Sequence, residues 1–287
     1  MKLFQLVKIT LDSLYQEAMK EHANETDKRI AESIRYLSVA YTQLTDASRE
    51  LVNYENPVTR FAYVYMYVAA HADYLTQLIE AYRSDLGSPI FKTERLRLSC
   101  IGGGPGSDFI AVVKYLSEHT DEPVEKVTAY LVDGEQGWAD TWTELDGKLD
   151  LPFQLATNFQ PLDVTRPNSW TAQKKFLEAD VFTISYFVSE VMSLDRCGVV
   201  TDFWSKVFSN AKSGTLFFYI DNGAQVFNDY FDRLWNTNGL KLISSFDNQR
   251  KLPGYDEEKS ELGDFLTKFG RNPKVQAQLS GRILVKP

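Results

Sequence analysis

The segment Leu98–Asp108, LSCIGGGPGSD, constrains this chain more than any other. An apolar run breaks into Gly102, Gly103, Gly104, Pro105 and Gly106, and Ser107 and Asp108 then open an amphipathic stretch. Glycine in place of a side chain costs backbone entropy, so four of them imply a tight turn that something approaches closely. A strand that runs through such a turn into a helix is the opening unit of an α/β sheet. The free N–H groups and positive dipole end of that helix make the turn a place for a ligand.

From about Leu96 onward, apolar segments alternate with helical ones. Strands are expected near 96–102, 127–133, 153–158, 180–186, 215–221 and 240–246. Helices are expected near 107–118, 136–148, 199–211 and 223–237. Such alternation gives a parallel sheet with helices on both faces. A last strand, SGRILVK over Ser280–Lys286, follows a polar stretch, Asp247–Gln278, with a short helix near Glu257–Phe269. That stretch is long for a connection and reads as an insertion or small cap.

The first ninety residues carry helical periodicity. Phe4, Val7, Leu11, Leu14 and Ala18 fall on one stripe, and Ile30, Ile34, Leu37, Tyr41 and Leu44 repeat it. Asn56-Pro57 is a helix start, Asn capping and Pro at the first helical position. The helix that follows, through about Arg83, is apolar nearly all round and so should be buried. Leu86-Gly87-Ser88-Pro89 ends the region. The chain thus divides into a helical cap region, 1–90, and an α/β domain, 91–287, with an insertion over 247–278.

The 287 residues include 39 acidic and 31 basic ones, a net charge of −8. This argues against a protein that grips nucleic acid by bulk charge, and DNA is not an expected partner. Two cysteines, Cys100 and Cys197, are too few for a disulfide framework, which points to an intracellular chain, cytoplasmic or nuclear. No apolar run reaches the ~18 residues of a membrane span, and the start of the chain lacks a signal-peptide core. With three histidines and no Cys-x-x-Cys pair, no metal site is expected.

A dinucleotide fingerprint, G-x-G-x-x-G, would need glycine at 107, where Ser107 stands. The spacing that fits is G-x-G-x-G, at Gly102, Gly104 and Gly106. Three further segments fall at strand ends: LVDGEQGW with Asp133, FQPLDVT with Asp163, and ADVFTISYFVSEVMS with Ser185, Tyr186, Ser189 and Glu190. Asp133 is placed either to take ribose hydroxyls or to cap the following helix. Asp163 also has the position of a turn-forming residue. On the helix before the sheet, Arg60, Tyr63, Tyr67, His71 and Tyr74 share a face, either packed on the sheet or lining a cleft.

The G-x-G-x-G turn resembles motif I of the class I S-adenosylmethionine-dependent methyltransferases, and the likeness spans roughly residues 96–287. It implies a Rossmann-like, seven-stranded, mostly parallel sheet whose last strand inserts antiparallel between strands five and six. It implies S-adenosylmethionine as cofactor, its methionine part over Gly102, Gly103, Gly104, Pro105, Gly106 and Asp108. Asp133 and Gly134 would take the ribose, and Asp163 and Val164 the adenine. Ser185 and Tyr186 would lie nearest the transferred methyl, with Tyr186 and Glu190 as catalytic candidates. Arg60 would neutralise the cofactor carboxylate, and Tyr63 and Tyr67 would wall the acceptor. The family places an acid two residues before the first glycine; this chain has Cys100 there. No Asn/Asp-Pro-Pro-Tyr/Phe tetrad follows the fourth strand, which disfavours methylation of exocyclic base nitrogens in that manner.

The triple-glycine turn, the strand ending near Ser-Glu and the run GTLFFYID also look like the fungal large-subunit rRNA uracil-N3 methyltransferases. The expected activity is methyl transfer to an undetermined acceptor, whether small molecule, protein or RNA. The alternatives are a catalytically inactive cofactor-binding or scaffold protein and, disfavoured by Ser107 and the terminal strand, an NAD-dependent oxidoreductase.

Overall fold

Helices come first in the computed structural model, which describes residues 1–87, 89–142 and 149–287. Helix α1 (Leu3–His22) buries the expected stripe, Phe4, Val7, Leu11, Leu14 and Ala18. Helix α2 (Thr26–Ala40) buries Ile30, Ile34 and Leu37 and stops short of Tyr41 and Leu44. An irregular segment, 41–56, leads to Asn56, whose side chain accepts the N–H of Val58 at 3.0 Å. A long helix follows in three parts: α3 (Pro57–Tyr63), a π turn over Val64–Val68, and α4 (Ala69–Leu86). Every residue from Pro57 to Thr76 is buried, as a stretch apolar all round requires.

The sheet region runs β1 (Arg95–Ile101), α5 (Ser107–Glu118), β2 (Lys126–Asp133), β3 (Gln154–Pro161), α6 (Pro167–Trp170) and β4 (Val181–Ser185). It continues with α7 (Val188–Val191), α8 (Val199–Asn210), β5 (Leu216–Asn222), α9 (Gln225–Thr237), β6 (Lys241–Lys251), α10 (Phe265–Lys268) and β7 (Ala277–Val285). The seven strands lie in the order β3-β2-β1-β4-β5-β7-β6. Strand β7 is antiparallel to both neighbours, and the other six are parallel. The parallel strands are those that the alternation predicts, and the antiparallel seventh strand between β5 and β6 completes the Rossmann-like sheet that the resemblance implies.

Three local expectations need correction. The helix expected over 136–148 is a 3-10 turn at Gln136–Trp138, and positions 143–148 lie outside the described residues. Gly134 and Gly137 weaken helix propensity there, and Trp138 and Trp142 are drawn into the core instead. The insertion is shorter than 247–278, because β6 runs on to Lys251 and β7 begins at Ala277. As an edge strand β6 is largely exposed, so it lacks the apolar alternation that marks strands. Within the insertion, Gly263, at a φ of 55°, splits the expected helix into a 3-10 turn at Lys259–Leu262 and the short α10.

One apolar cluster joins α1–α4 to α5 and to one face of the sheet, through residues such as Leu98, Val127, Phe218 and Ile283. A second, on the other face, packs α8 and α9 against Phe182, Phe217 and Tyr219. Among the described residues, no helix is long and apolar enough to cross a membrane.

A buried ion triad ties the insertion to the helices. Lys114 of α5 reaches Asp73 of α4 at 3.1 Å and Glu257 at 2.8 Å. The Glu257 carboxylate also accepts the N–H groups of Leu3 and Phe4, at the positive end of α1. Removing Glu257 leaves Lys114 paired with Asp73 but takes the acceptor from the N–H groups of Leu3 and Phe4, and a donor left unsatisfied costs about 1–3 kcal/mol. Glu257→Ala should lose about 1–3 kcal/mol in urea denaturation; a loss within about 0.5 kcal/mol of zero would show that Glu257 does not hold the insertion down.

Candidate functional site

The glycine turn sits at the carboxyl end of β1, beside the end of β2. The N–H groups of Gly102 and Gly103 both donate to the Val132 carbonyl, at 2.8 and 3.2 Å. Gly102 and Gly106 have φ of 71° and 86°, open to glycine at little cost. A Cβ on Gly102 would overlap the Phe187 ring, one on Gly103 the Cys100 side chain, and one on Gly106 the Trp142 indole. A Cβ on Gly104 would lie 2.6 Å from Asp133 Oδ2 and crowd Trp138. The sequence pointed to a ligand as the body that approaches this backbone. The structure shows that packed side chains already make each glycine necessary. Trp142 is locked in place by its indole N–H, which donates to the Gly104 carbonyl at 3.0 Å.

Four carboxyls lie at this edge of the sheet, Asp108 and Asp221 buried and Asp133 and Glu190 half-buried. Asp133 accepts the N–H of Gly104 at 3.0 Å and of Glu135 at 2.9 Å, yet burial outweighs these bonds and pushes it up to about 6. Asp108, in the first turn of α5, accepts the Ser185 hydroxyl at 2.6 Å; its other oxygen is buried without a partner, and burial raises it to about 7. Asp221 holds the N–H of Ser189 at 2.9 Å and of Asn222 at 2.7 Å, and burial carries it to about 6. Glu190 is raised to about 8 by burial, against the opposing pull of Arg49. Cys100, directly beneath the turn, is fully buried, so its thiol is pushed well above its usual value.

A cavity of about 180 Å³ opens at the carboxyl ends of β1, β2 and β4, lined by Gly102, Pro105, Asp133, Ser185, Tyr186 and Glu190. Residues Arg49, Leu51, Val52 and Tyr54 of the irregular segment form its outer wall. Strand order reverses about β1, so this is the crevice where open α/β sheets bind ligands. An inner chamber of about 50 Å³ adjoins it, lined by Tyr41, Tyr67, His71, Asn222 and Lys274. Tyr63, Tyr186 and Glu190 border both spaces. Tyr186 has a φ of 56°, rare for a bulky residue, and stacks on His71 with ring centroids 3.6 Å apart. Its hydroxyl is buried without a partner, and burial holds the His71 imidazolium well below its usual range.

Other residues singled out in the sequence fall elsewhere. Arg60 donates to the carbonyls of Tyr54 and Glu55 at 2.8 and 2.7 Å and pairs with Glu17. It lines neither of these two spaces, so it does not oppose a ligand carboxylate there. Glu17 and the carbonyls of Tyr54 and Glu55 hold the Arg60 guanidinium away from the chamber that Tyr63, Tyr67 and His71 line. Asp163 accepts the N–H and hydroxyl of Thr165 at 2.9 and 2.6 Å, the hydrogen bonds of a turn, and Gly134 abuts it. Val164 is core, its carbonyl accepting the Trp170 indole N–H. Arg49, Trp138, Phe187, Asn222 and Lys274 line these spaces and were not singled out. The four-residue spacing of Trp138 and Trp142 was a usable signal; Arg49 lies in a segment without periodicity.

No protein-family model matches the chain, and no curated protein matches it in sequence. Solved structures of similar fold include a Listeria monocytogenes protein described as a class I S-adenosylmethionine-dependent methyltransferase. It is 14% identical, with a TM-score of 0.46 over 100% of this chain and 81% of that one. An S-adenosylmethionine-dependent methyltransferase from Clostridium acetobutylicum is 9% identical, with a TM-score of 0.43 over 88% of this chain and 98% of that one. A TehB-like methyltransferase from Corynebacterium glutamicum is 13% identical, with a TM-score of 0.39 over 90% and 99%.

Gly102→Ala should cost about 1–3 kcal/mol in urea denaturation, because it combines a positive φ with overlap on Phe187; adding Phe187→Ala should make a second substitution at 102 cheaper than it is in the wild type. Glu190, raised from its ordinary value to about 8, stabilises the fold below its unfolded pKa and loses that contribution as pH rises through 8. Relative to wild type, Glu190→Gln should therefore gain stability steadily between pH 5 and 9, measured as the difference in urea midpoints.

Proposed function

We propose that the protein binds S-adenosylmethionine in the outer cavity and transfers its methyl group to an acceptor held in the aromatic inner chamber. The observation that carries this reading is the meeting, in one crevice, of the turn spaced G-x-G-x-G, a carboxylate at the end of β2, and the Ser185–Glu190 exit of β4. The residues fit the group. Asp133 uses one lone pair on each oxygen for backbone N–H groups and keeps others for a pair of ribose hydroxyls. Ser185 spends its proton on Asp108, which leaves its oxygen an acceptor on the cavity side. The unpartnered Tyr186 hydroxyl lies on the border between ligand and acceptor.

At about 180 Å³ the cavity is smaller than the roughly 300 Å³ of a usual ligand cleft. In this reading the half-buried Phe187 ring leaves Gly102 as the ligand enters.

When bound, the cofactor supplies an electrophilic sulfonium methyl. The chain's contribution is orientation and exclusion of water, with proton removal where the acceptor is protonated. Glu190, at about 8, is mostly protonated at neutral pH and gains ionised fraction steeply up to pH 8, which suits it to take a proton from the acceptor. Tyr41, Tyr63, Tyr67 and the His71–Tyr186 stack offer ring faces to a planar or apolar acceptor group.

Calorimetry should give binding heat with S-adenosylmethionine and none with NAD; the reverse result would replace this reading with a nicotinamide one. Asp133→Ala should weaken binding at least about tenfold, through loss of charge-assisted hydrogen bonds. Tritium from the labelled methyl should appear in one of the small-molecule, protein or RNA fractions of a lysate. Transfer should accelerate from pH 7 to 8 and lose that dependence in Glu190→Gln.

A further inference from the structure

Arg49 is the one cationic side chain among the described residues that line the outer cavity. It belongs to the irregular segment 41–56, and its Nη2 donates to the Glu190 carbonyl at 2.6 Å. Its Nε is buried and has no hydrogen-bond partner. Among the described residues it makes no ion pair with a carboxylate, and its acidic neighbour Glu190 is held mostly protonated at neutral pH. A guanidinium committed to a cavity wall, with a buried N–H lacking an acceptor, is costly unless an anion completes it. Its planar fork can grip a carboxylate through two parallel hydrogen bonds. The cation expected for this task, Arg60, is spent on Glu17 and two carbonyls.

We propose that Arg49 grips the terminal carboxylate of the ligand, so that the cavity selects adenosyl ligands bearing a free amino-acid carboxylate over those without one. This rests on the reading of the outer cavity as an S-adenosylmethionine site. Gly102 and Pro105 border the same cavity, so the carboxylate end of the ligand lies between the turn and the 41–56 wall. The same contact ties that wall to α7 through Glu190, so ligand and wall are held by one side chain.

The test is titration calorimetry of the full chain with S-adenosylmethionine and with its decarboxylated form. The wild type should prefer the carboxylated ligand by about ten- to a hundredfold, the worth of a charged hydrogen-bonded pair. Arg49→Ala should remove most of that preference by weakening the carboxylated ligand alone, and Arg49→Lys should restore part of it. Thermal unfolding of each variant checks that it is folded. Equal loss for both ligands would make Arg49 a wall residue only and overturn the proposal, as would an Arg49→Ala variant that keeps the wild-type preference. Equal binding of the two ligands by the wild type would overturn it too, while leaving the cofactor reading intact; wild-type binding of neither would end both.

Discussion

The bare backbone of the turn after β1 is the constraint around which the rest is arranged. Four glycines leave room for an indole beneath Gly106, a second indole and the Asp133 carboxylate against Gly104, and the Phe187 ring over Gly102. The two indoles and the carboxylate come from the end of β2 and the loop after it, and the Phe187 ring from the exit of β4, so the turn sets the distance between these two stretches and the end of β1. Close packing leaves no slack at such a junction, and a single added methyl group has nowhere to go. The crevice at the sheet edge exists because these pieces meet there and stop.

Burial then sets the chemistry. Asp108, Asp133, Asp221 and Glu190 are carboxyls taken from water, and each is raised despite the hydrogen bonds it accepts. Desolvation penalises the charged form more than a few N–H donors repay. Of these, Asp133 and Glu190 line the crevice, raised to about 6 and about 8, and one arginine from a segment with no regular structure faces them. Where an acid was expected two residues before Gly102, the thiol of Cys100 packs under Gly103, and the buried carboxyl near it comes instead from Asp108 on the helix.

The helical region is joined to the sheet by more than apolar contact. Lys114, Asp73 and Glu257 bind α5, α4 and the insertion to the start of α1. That arrangement brings Tyr63, Tyr67 and His71 against Tyr186, and Lys274 of the insertion to the inner chamber.

Order of elements, the place of the turn and the strand-end positions of Asp133, Ser185, Tyr186 and Glu190 were legible in the residues themselves. Each depends on periodicity or turn chemistry within a few neighbours, and those are local properties of the chain. The described part of the helix expected after Asp133 was not, because there the chain makes a 3-10 turn and the Trp142 indole donates to the glycine turn across from it. The long reach of β6 was hidden by its exposure at the edge. Which arginine enters the crevice was beyond local reading altogether. Arg60 shares α3 with Tyr63, but a carboxylate from α1 and two carbonyls of the loop before α3 hold it elsewhere, while Arg49 arrives on a loop. Local pattern determined what the chain builds. Contacts between residues far apart in sequence decided which side chains share a cavity, because only the packed core sets those distances.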